Sequence, residues 1–285
     1  MNRTVKRSAH ALSHTAGRLT VSGRLLPSFL IAGAQRCGTT SLYRALAQHP
    51  LILKPVLRKG VHYFDMAYGK GSSWYRAHFP LKVTAHRLER RFGIRPLSFE
   101  SSPYYLFHPM VPSRIATDLP GVKLIALVRD PVERAYSAHA HEVARGFETE
   151  ASFERALALE PYRLDGEEER LRADPAARSR AHRHHAYVAR GQYAEQLARL
   201  EPLVGRDRIL VLDSGSLFTA PERAYDRVLE FLGLPRLGDP VFERHNARPR
   251  PCDMPAGLRR RLSEHFAPWD ARLEPWLDER PSWRP

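Results

Sequence analysis

The sequence predicts a three-layer α/β/α fold, P-loop-like, with helices packed on both sides of a central parallel sheet. Three observations carry that expectation. The apolar run Phe29-Leu30-Ile31-Ala32 enters a glycine loop beginning at Gly33 and leaves it as an amphipathic helical pattern through Leu42, Leu46 and Ala47. The run Val122 to Val128 is apolar almost throughout, as befits a strand covered on both faces in a parallel sheet. Beyond it strand and helix patterns alternate without an internal repeat, which puts ligands at the carboxyl ends of the strands.

Taken in order, residues 1 to 27 carry Arg3, Lys6, Arg7, Arg18 and Arg24 with no sustained period and read as a flexible basic arm ahead of a single domain, 28 to 285. The first strand ends at Gly33 and its helix runs to His49-Pro50. A second short strand is Leu97 to Glu100, and the third is Val122 to Val128. Asp130 then caps a helix whose first position is Pro131, where the missing N–H costs nothing, and Val132, Ala135, Tyr136 and Val143 give it an apolar face. Residues 150 to 186 turn polar and read as a mobile insertion over the site, with one short helix from Phe153 to Leu159. A helix from Tyr187 to Leu200, a strand from Arg208 to Asp213, a helix from Pro221 to Leu232 and a last helix from Pro255 to Phe266 complete the reading.

Composition sets outer limits. Hydrophobic residues make up 43% of the chain and charged residues 27%, enough for one substantial core and against wholesale disorder. A formal net charge of +14 attracts polyanions, and its sign alone does not choose among nucleic acid, anionic glycan and phosphorylated cofactor. Cys37 and Cys252 are the only cysteines, so there is no disulfide framework and no paired-cysteine zinc site, which fits a reducing compartment. The N-terminal stretch has no apolar core of a signal peptide and no run is long enough to span a bilayer, so the expected location is cytoplasmic. His182, His184 and His185 cluster, but without cysteine or carboxylate at metal-ligand spacing; they read as a solvated or substrate-facing run, and no metal is expected.

The chemistry begins in the loop Gly33-Ala34-Gln35-Arg36-Cys37-Gly38-Thr39-Thr40, where free backbone N–H groups and a helix dipole converge on an anion. Its glycine spacing matches G-x-x-x-x-G-K-[ST], except that Thr39 stands where the lysine belongs. That lysine serves terminal phosphates in triphosphate chemistry, and its absence disfavours a kinase or hydrolase, as does the poor supply of acidic strand ends, of which Asp213 is the best. Arg36 instead can place a guanidinium where charge builds on a leaving phosphate, and the Thr39 and Thr40 hydroxyls can bond the same group.

The segment Phe29 to Pro50, FLIAGAQRCGTTSLYRALAQHP, resembles the 5′-phosphosulfate loop of the PAPS-dependent sulfotransferases, in their heparan sulfate and bacterial branch. Val128-Arg129-Asp130-Pro131-Val132-Glu133-Arg134-Ala135-Tyr136-Ser137 resembles that family's 3′-phosphate motif. The likeness covers most of residues 29 to 280 and is specific in the first 140. It implies transfer of a sulfuryl group from 3′-phosphoadenosine-5′-phosphosulfate (PAPS) by direct in-line displacement, with adenosine 3′,5′-bisphosphate as product and no metal. It also implies a donor site formed by Gly33, Gln35, Arg36, Cys37, Gly38, Thr39, Thr40 and Ser41 at one phosphate and by Arg129 and Ser137 at the other. Arg248 and Arg250 fall where the family folds a basic loop over the donor, and Arg190-Gly191-Gln192-Tyr193 resembles a looser block of bacterial members. In this branch the loop often carries lysine at the place of Arg36, so the cation is kept while the capacity to donate a proton is lost.

Transfer needs a general base beside the acceptor. Lys59-Gly60-Val61-His62-Tyr63-Phe64-Asp65 resembles the family block E-x-H-[FY]-F-D, and Gly60 occupies the position of its catalytic glutamate. Two groups compete for the vacant role: His62, whose ordinary pKa suits proton abstraction near neutrality, and Glu100, at a strand's carboxyl end. The family's E-K-T-P block reads Glu100-Ser101-Ser102-Pro103 here, with Ser101 in place of its lysine. His62, Tyr63, Asp65, Ser101 and Tyr104 form the expected acceptor-binding set, and Trp74, Tyr75 and Tyr105 serve equally as an aromatic wall or as core. The acceptor, a small molecule, lipid or glycan with a hydroxyl or amine, is left open, as is the oligomeric state. The rival readings are a phosphate-loop nucleotide kinase, a donor-binding protein with decayed chemistry, and a basic nucleic-acid-binding protein; the last lacks interleaved aromatic and basic residues on one face.

Overall fold

A computed structural model describes residues 17–243, 253–277 and 279–284. In chain order the elements are β1 (Phe29–Gly33), α1 (Thr39–Leu46), β2 (Ile52–Leu53), α2 (Ser72–Arg76), α3 (Lys82–Phe92), β3 (Leu97–Ser101), α4 (Val111–Asp118), β4 (Lys123–Val128), α5 (Pro131–Ala144), α6 (Phe153–Leu164), α7 (Glu167–Ala173), α8 (Arg180–His184), α9 (Tyr193–Val204), β5 (Ile209–Asp213), α10 (Ser214–Thr219), α11 (Pro221–Leu232) and α12 (Ala256–Leu273).

The five strands form one sheet in the order β2-β3-β1-β4-β5, with every neighbouring pair parallel. This is the expected P-loop-like α/β/α architecture. Every residue of β1 is buried, and β4 is buried from its second residue on, so both strands lie under helices on either side. Phe29 of β1 stacks on Phe99 of β3 at 4.9 Å between ring centroids and Tyr43 of α1 closes on Phe99 at the same distance, which locks the phosphate-loop helix onto the sheet. Truncating Phe99 to Ala would cost about 3–5 kcal/mol on the scale of large-to-small core changes. A second apolar cluster joins α5, α6 and α12 through Tyr136, Phe153 and Phe266.

Several boundaries differ from expectation. Of the expected arm, residues 1 to 16 lie outside the described residues, whereas Arg24 and Leu25 are docked: Leu25 N donates to Pro80 O at 2.9 Å and Arg24 Nη1 to Phe79 O at 2.6 Å. The polar segment 150 to 186 folds as α6, α7 and α8, because Phe153, Ala156 and Leu171 supply small apolar footholds and Glu160 turns inward to accept from Val188 N and Ala189 N. The short β2 and the helices α2, α3 and α4 had no counterpart in the sequence reading. Among the described residues no helix is long and apolar enough to cross a membrane.

Candidate active site

The chain leaves β1 towards β2 and β3 on one side of the sheet, then crosses to β4 and β5 on the other. The carboxyl ends of β1 and β4 therefore flank the switch point at which α/β sheets hold ligands. The loop after Gly33 and the segment from Arg129 both emerge there.

After β1 the chain makes a loop that only particular residues permit. A Cβ on Gly33 would lie 2.5 Å from Leu106 Cβ, and Gly38, which precedes α1, has φ of 86°. Arg36 adopts φ of 71° despite its side chain, a conformation that costs a non-glycine residue roughly 1 kcal/mol. The cost points its guanidinium across the crevice, where Nε donates to Ser137 Oγ of α5 at 3.0 Å. Thr39, Ser41 and Cys37 are buried, and Thr40 and Gln35 are half-buried. Burial pushes the Cys37 thiol above its ordinary pKa, against the pull of the nearby Arg134, Arg129 and Arg36 charges and the bond to Tyr193.

Arg129 follows β4 directly. Its carbonyl accepts from Tyr193 Oη at 2.9 Å and its guanidinium lies 3.6 Å from Glu133 one turn on. Asp130 caps α5 by accepting from Val132 N at 2.9 Å, as the sequence required, and the cap aligns the helix so that Ser137 faces Arg36. Gln35 of the loop donates to Glu142 Oε1 at 3.0 Å and accepts from Arg190. Arg190 is fully buried and sits over the rings of Tyr104 and Phe107. This brace between the loop and the chain after α8 was not foreseen in detail; only the likeness around Arg190 pointed to it.

The third wall is the segment Lys59 to His62, stitched along the carboxyl end of β3 by successive bonds. Ser101 N donates to Lys59 O at 3.0 Å, Val61 N to Glu100 Oε2 at 2.8 Å, and His62 N to Ser102 Oγ at 3.0 Å. Gly60 is required by that contact, since a Cβ there would lie 2.5 Å from Ser101 O. His62, with φ of 55°, then starts a single π-helical turn, Tyr63–Ala67, which returns Asp65 beneath the imidazole. Asp65 Oδ2 is 2.7 Å from His62 Nδ1 and its side chain is wholly buried, while the histidine side chain is 35% exposed and so keeps an open face. Burial pulls the imidazole pKa down, but the bond to Asp65 and its charge, with that of Glu100, outweigh it, and the group ends above its ordinary value.

Glu100 itself has no exposed surface. It accepts from Tyr75 Oη at 3.0 Å, Tyr105 Oη at 2.7 Å, Ser102 Oγ at 2.6 Å and Val61 N at 2.8 Å. Burial raises its pKa despite these donors. The structure thus sets it behind the crevice, in contrast to the strand-end position that made it a rival for His62. Tyr75 and Tyr105 are core residues for the same reason. Tyr63, expected on the acceptor side, stacks on Tyr75 at 4.6 Å and donates to Asp118 Oδ2 at 3.0 Å. Tyr104 is buried with its hydroxyl 2.8 Å from His182 Nδ1, and Ser101 is buried with an unpartnered Oγ. The histidine cluster is not solvated: His182 stacks on Phe107 at 4.2 Å, His184 Nδ1 pairs with Glu142 Oε2 at 2.9 Å, and His185 Nε2 contacts Phe147 O at 2.9 Å. Arg248 and Arg250 lie outside the described residues.

Sequence reasoning passed over Lys59. Its Nζ lies 2.9 Å from Thr40 Oγ1 and 3.4 Å from Thr39 Oγ1, inside the phosphate loop's crevice. Nothing local signals this approach, because it depends on the staple to β3. A separate cavity of about 480 Å³ includes Phe107, His182, Gln192 and Arg199 in its wall, but none of the loop residues, Lys59, His62, Arg129 or Ser137. Among the described residues no group of three or more His, Cys, Asp or Glu side chains is placed to hold a metal ion.

Residues 26–245 match the sulfotransferase domain family. The human bifunctional heparan sulfate N-deacetylase/N-sulfotransferase 3 is 34% identical over 218 residues, 73% of this chain and 22% of that protein. The membrane-associated sulfotransferase kil1 of Dictyostelium discoideum is 36% identical over 123 residues, 42% of this chain and 24% of that protein. The chain thus spans less than a quarter of the length of either relative. Among solved structures, a sulfotransferase from Alicyclobacillus acidocaldarius aligns with a TM-score of 0.61 and 30% identity, covering 88% of this chain and 95% of that one.

Proposed function

The chain belongs to the sulfotransferase domain family, and from that premise we propose that it transfers a sulfuryl group from PAPS to a hydroxyl or amine by direct in-line displacement. The observation that carries the reading is the bond from Arg36 to Ser137, which joins the two anion motifs across one crevice. The donor set fits a nucleotide with phosphates at both ends. In this reading Arg36, the Thr39 and Thr40 hydroxyls and the N-terminus of α1 would take the 5′ end, and Arg129 with Ser137, which Arg36 touches, would take the 3′-phosphate. When bound, PAPS supplies the sulfuryl group, whose bond to the phosphate oxygen breaks as the acceptor oxygen or nitrogen bonds to sulfur.

The chain's own residues then have separable tasks. Arg36 stabilises charge gathering on the departing phosphate and, as a guanidinium, does so without donating its proton. Arg129 and Ser137 select a nucleotide bearing a 3′-phosphate. His62 takes the acceptor's proton at Nε2, because Asp65 engages Nδ1 and thereby fixes the tautomer. Glu100, enclosed by four donors, positions the segment that carries His62 and is not itself the base.

A glycan amine or hydroxyl is the first acceptor to test, since the human relative is named as a heparan sulfate N-deacetylase/N-sulfotransferase. A cytoplasmic site of action is part of the proposal and rests on the two lone cysteines of the sequence. Calorimetric titration with adenosine 3′,5′-bisphosphate, followed by transfer from labelled PAPS to a panel of glycans, phenols and lipids, tests the reading. Micromolar binding and label transfer are expected. Folded protein that gives no heat with the bisphosphate, or that turns over magnesium-ATP instead, defeats it.

A further inference from the structure

We infer that Lys59 grips the 5′-phosphate end of the donor, supplying from a neighbouring segment the lysine that the phosphate loop lacks. The inference rests on the PAPS reading above and names a residue within that site.

The loop's own sequence leaves a threonine, Thr39, where triphosphate loops place a lysine. The structure fills the same neighbourhood from twenty residues away: Lys59 Nζ is 2.9 Å from Thr40 Oγ1 and 3.4 Å from Thr39 Oγ1. Both partners are neutral hydroxyls, and among the described residues Lys59 forms no ion pair. An ammonium group enclosed with hydroxyls alone lacks a counter-charge, and the two hydroxyls that hold it belong to the anion loop itself. Burial, reinforced by Arg44, accordingly lowers its pKa to about 7.

The placement is built rather than incidental. The Lys59 carbonyl is fixed by Ser101 N, Gly60 lies flat against Ser101 O where no side chain fits, and Val61 N is tied to Glu100. The lysine stem then passes near the ring of Tyr43, with Nζ 5.7 Å from its centroid. With its backbone clamped at the end of β3, this side chain reaches the hydroxyls of α1's first turn. A dianionic phosphate at that turn would accept from Lys59, from Arg36 and from the loop N–H groups together.

The test uses the full chain and two nucleotides, adenosine 3′,5′-bisphosphate and adenosine 3′-monophosphate, which differ only in the 5′-phosphate. In Lys59→Met the affinity for the bisphosphate is expected to fall about 10- to 100-fold, the scale of one lost charge-assisted bond, with the monophosphate unchanged. Lys59→Arg is expected to recover most of the loss. Equal losses for both nucleotides, or none for either while the acceptor KM rises, overturn the inference and leave the donor reading standing. Failure of the wild-type chain to bind either nucleotide removes the donor reading and the inference with it.

Discussion

Arg36 Nε donates to Ser137 Oγ at 3.0 Å, so a guanidinium on the loop after β1 touches a hydroxyl on the helix after β4. The two residues are 101 apart in sequence and meet in the fold. Arg36→Ala is expected to lower transfer about a hundred- to a thousandfold, the scale of removing one donor to a developing negative charge. Arg36→Gly also relieves the left-handed backbone at φ of 71°, so it should melt no lower than the wild type while losing the same activity. Initial rates and thermal melts on the pair test this; lowered stability with preserved rate would reverse the assignment.

Arg129→Ala should weaken donor binding more than it slows turnover, raising the KM for PAPS about tenfold or more with kcat little changed. The fold should survive, since the 3.6 Å contact of Arg129 with Glu133 is a half-exposed pair worth less than about 1 kcal/mol. Steady-state kinetics at saturating acceptor separate the two parameters.

His62 must be neutral to take a proton, so the rate should rise with pH through its elevated pKa and then level off. Asp65→Asn removes the main influence holding that pKa up and should move the rising limb to lower pH. His62→Ala should lower kcat about 10²- to 10⁴-fold. For stability the sign is opposite to that for rate. A histidine whose folded pKa is raised stabilises the protein fully below its unfolded value of about 6.5, and that contribution disappears as pH climbs through the folded value. The neutral form able to accept a proton is thus the less stabilising form of the His62–Asp65 pair, which melts at pH 5.5 and 8.5 on wild type and His62→Ala can compare.

Glu100→Gln separates a base from a brace. The carboxylate accepts from three hydroxyls and one backbone N–H, and a glutamine amide must turn a donor towards one or more of them. A loss of about 1–3 kcal/mol in urea unfolding is expected, with the pH profile of the remaining activity unmoved. A normal unfolding curve with a lost alkaline plateau would instead make Glu100 the base.

Restoring the family's glutamate should not restore a carboxylate base. Gly60→Glu brings a Cβ to within 2.5 Å of Ser101 O, a backbone atom that cannot step aside, and should destabilise the chain by about 1–3 kcal/mol without raising turnover. Gly60→Ala, which adds only the offending atom, should lose much of the same stability.

Four of the sheet's five strands and the local geometry of the two loop motifs were legible in the sequence because each is a local pattern. The first strand, Asp130 as cap with Pro131 behind it, and the paired glycines around Arg36 each announce their geometry within a few residues. Lys59 was not legible, because its position comes from bonds to β3 some forty residues later. The enclosure of Glu100 was not legible for a related reason: a strand end faces the ligand unless other side chains close over it, and here Tyr75, from a segment 25 residues away, joins the nearby Tyr105 to do so. Of the helices of 150 to 186, the one starting at Phe153 was read from the sequence, though cut short at Leu159, whereas α7 and α8 were missed because a single buried apolar residue such as Leu171 carries little periodic signal.

Lys59 and His62 sit on one stapled stretch of four residues, its backbone held in turn by Ser101, Glu100 and Ser102. Under the in-line exchange proposed above, the outcome is sensitive to the gap between entering and departing atoms, and a short stapled stretch would serve as a ruler for that gap. Lengthening the stretch by one residue would leave each side chain chemically intact and still put the two ends out of step.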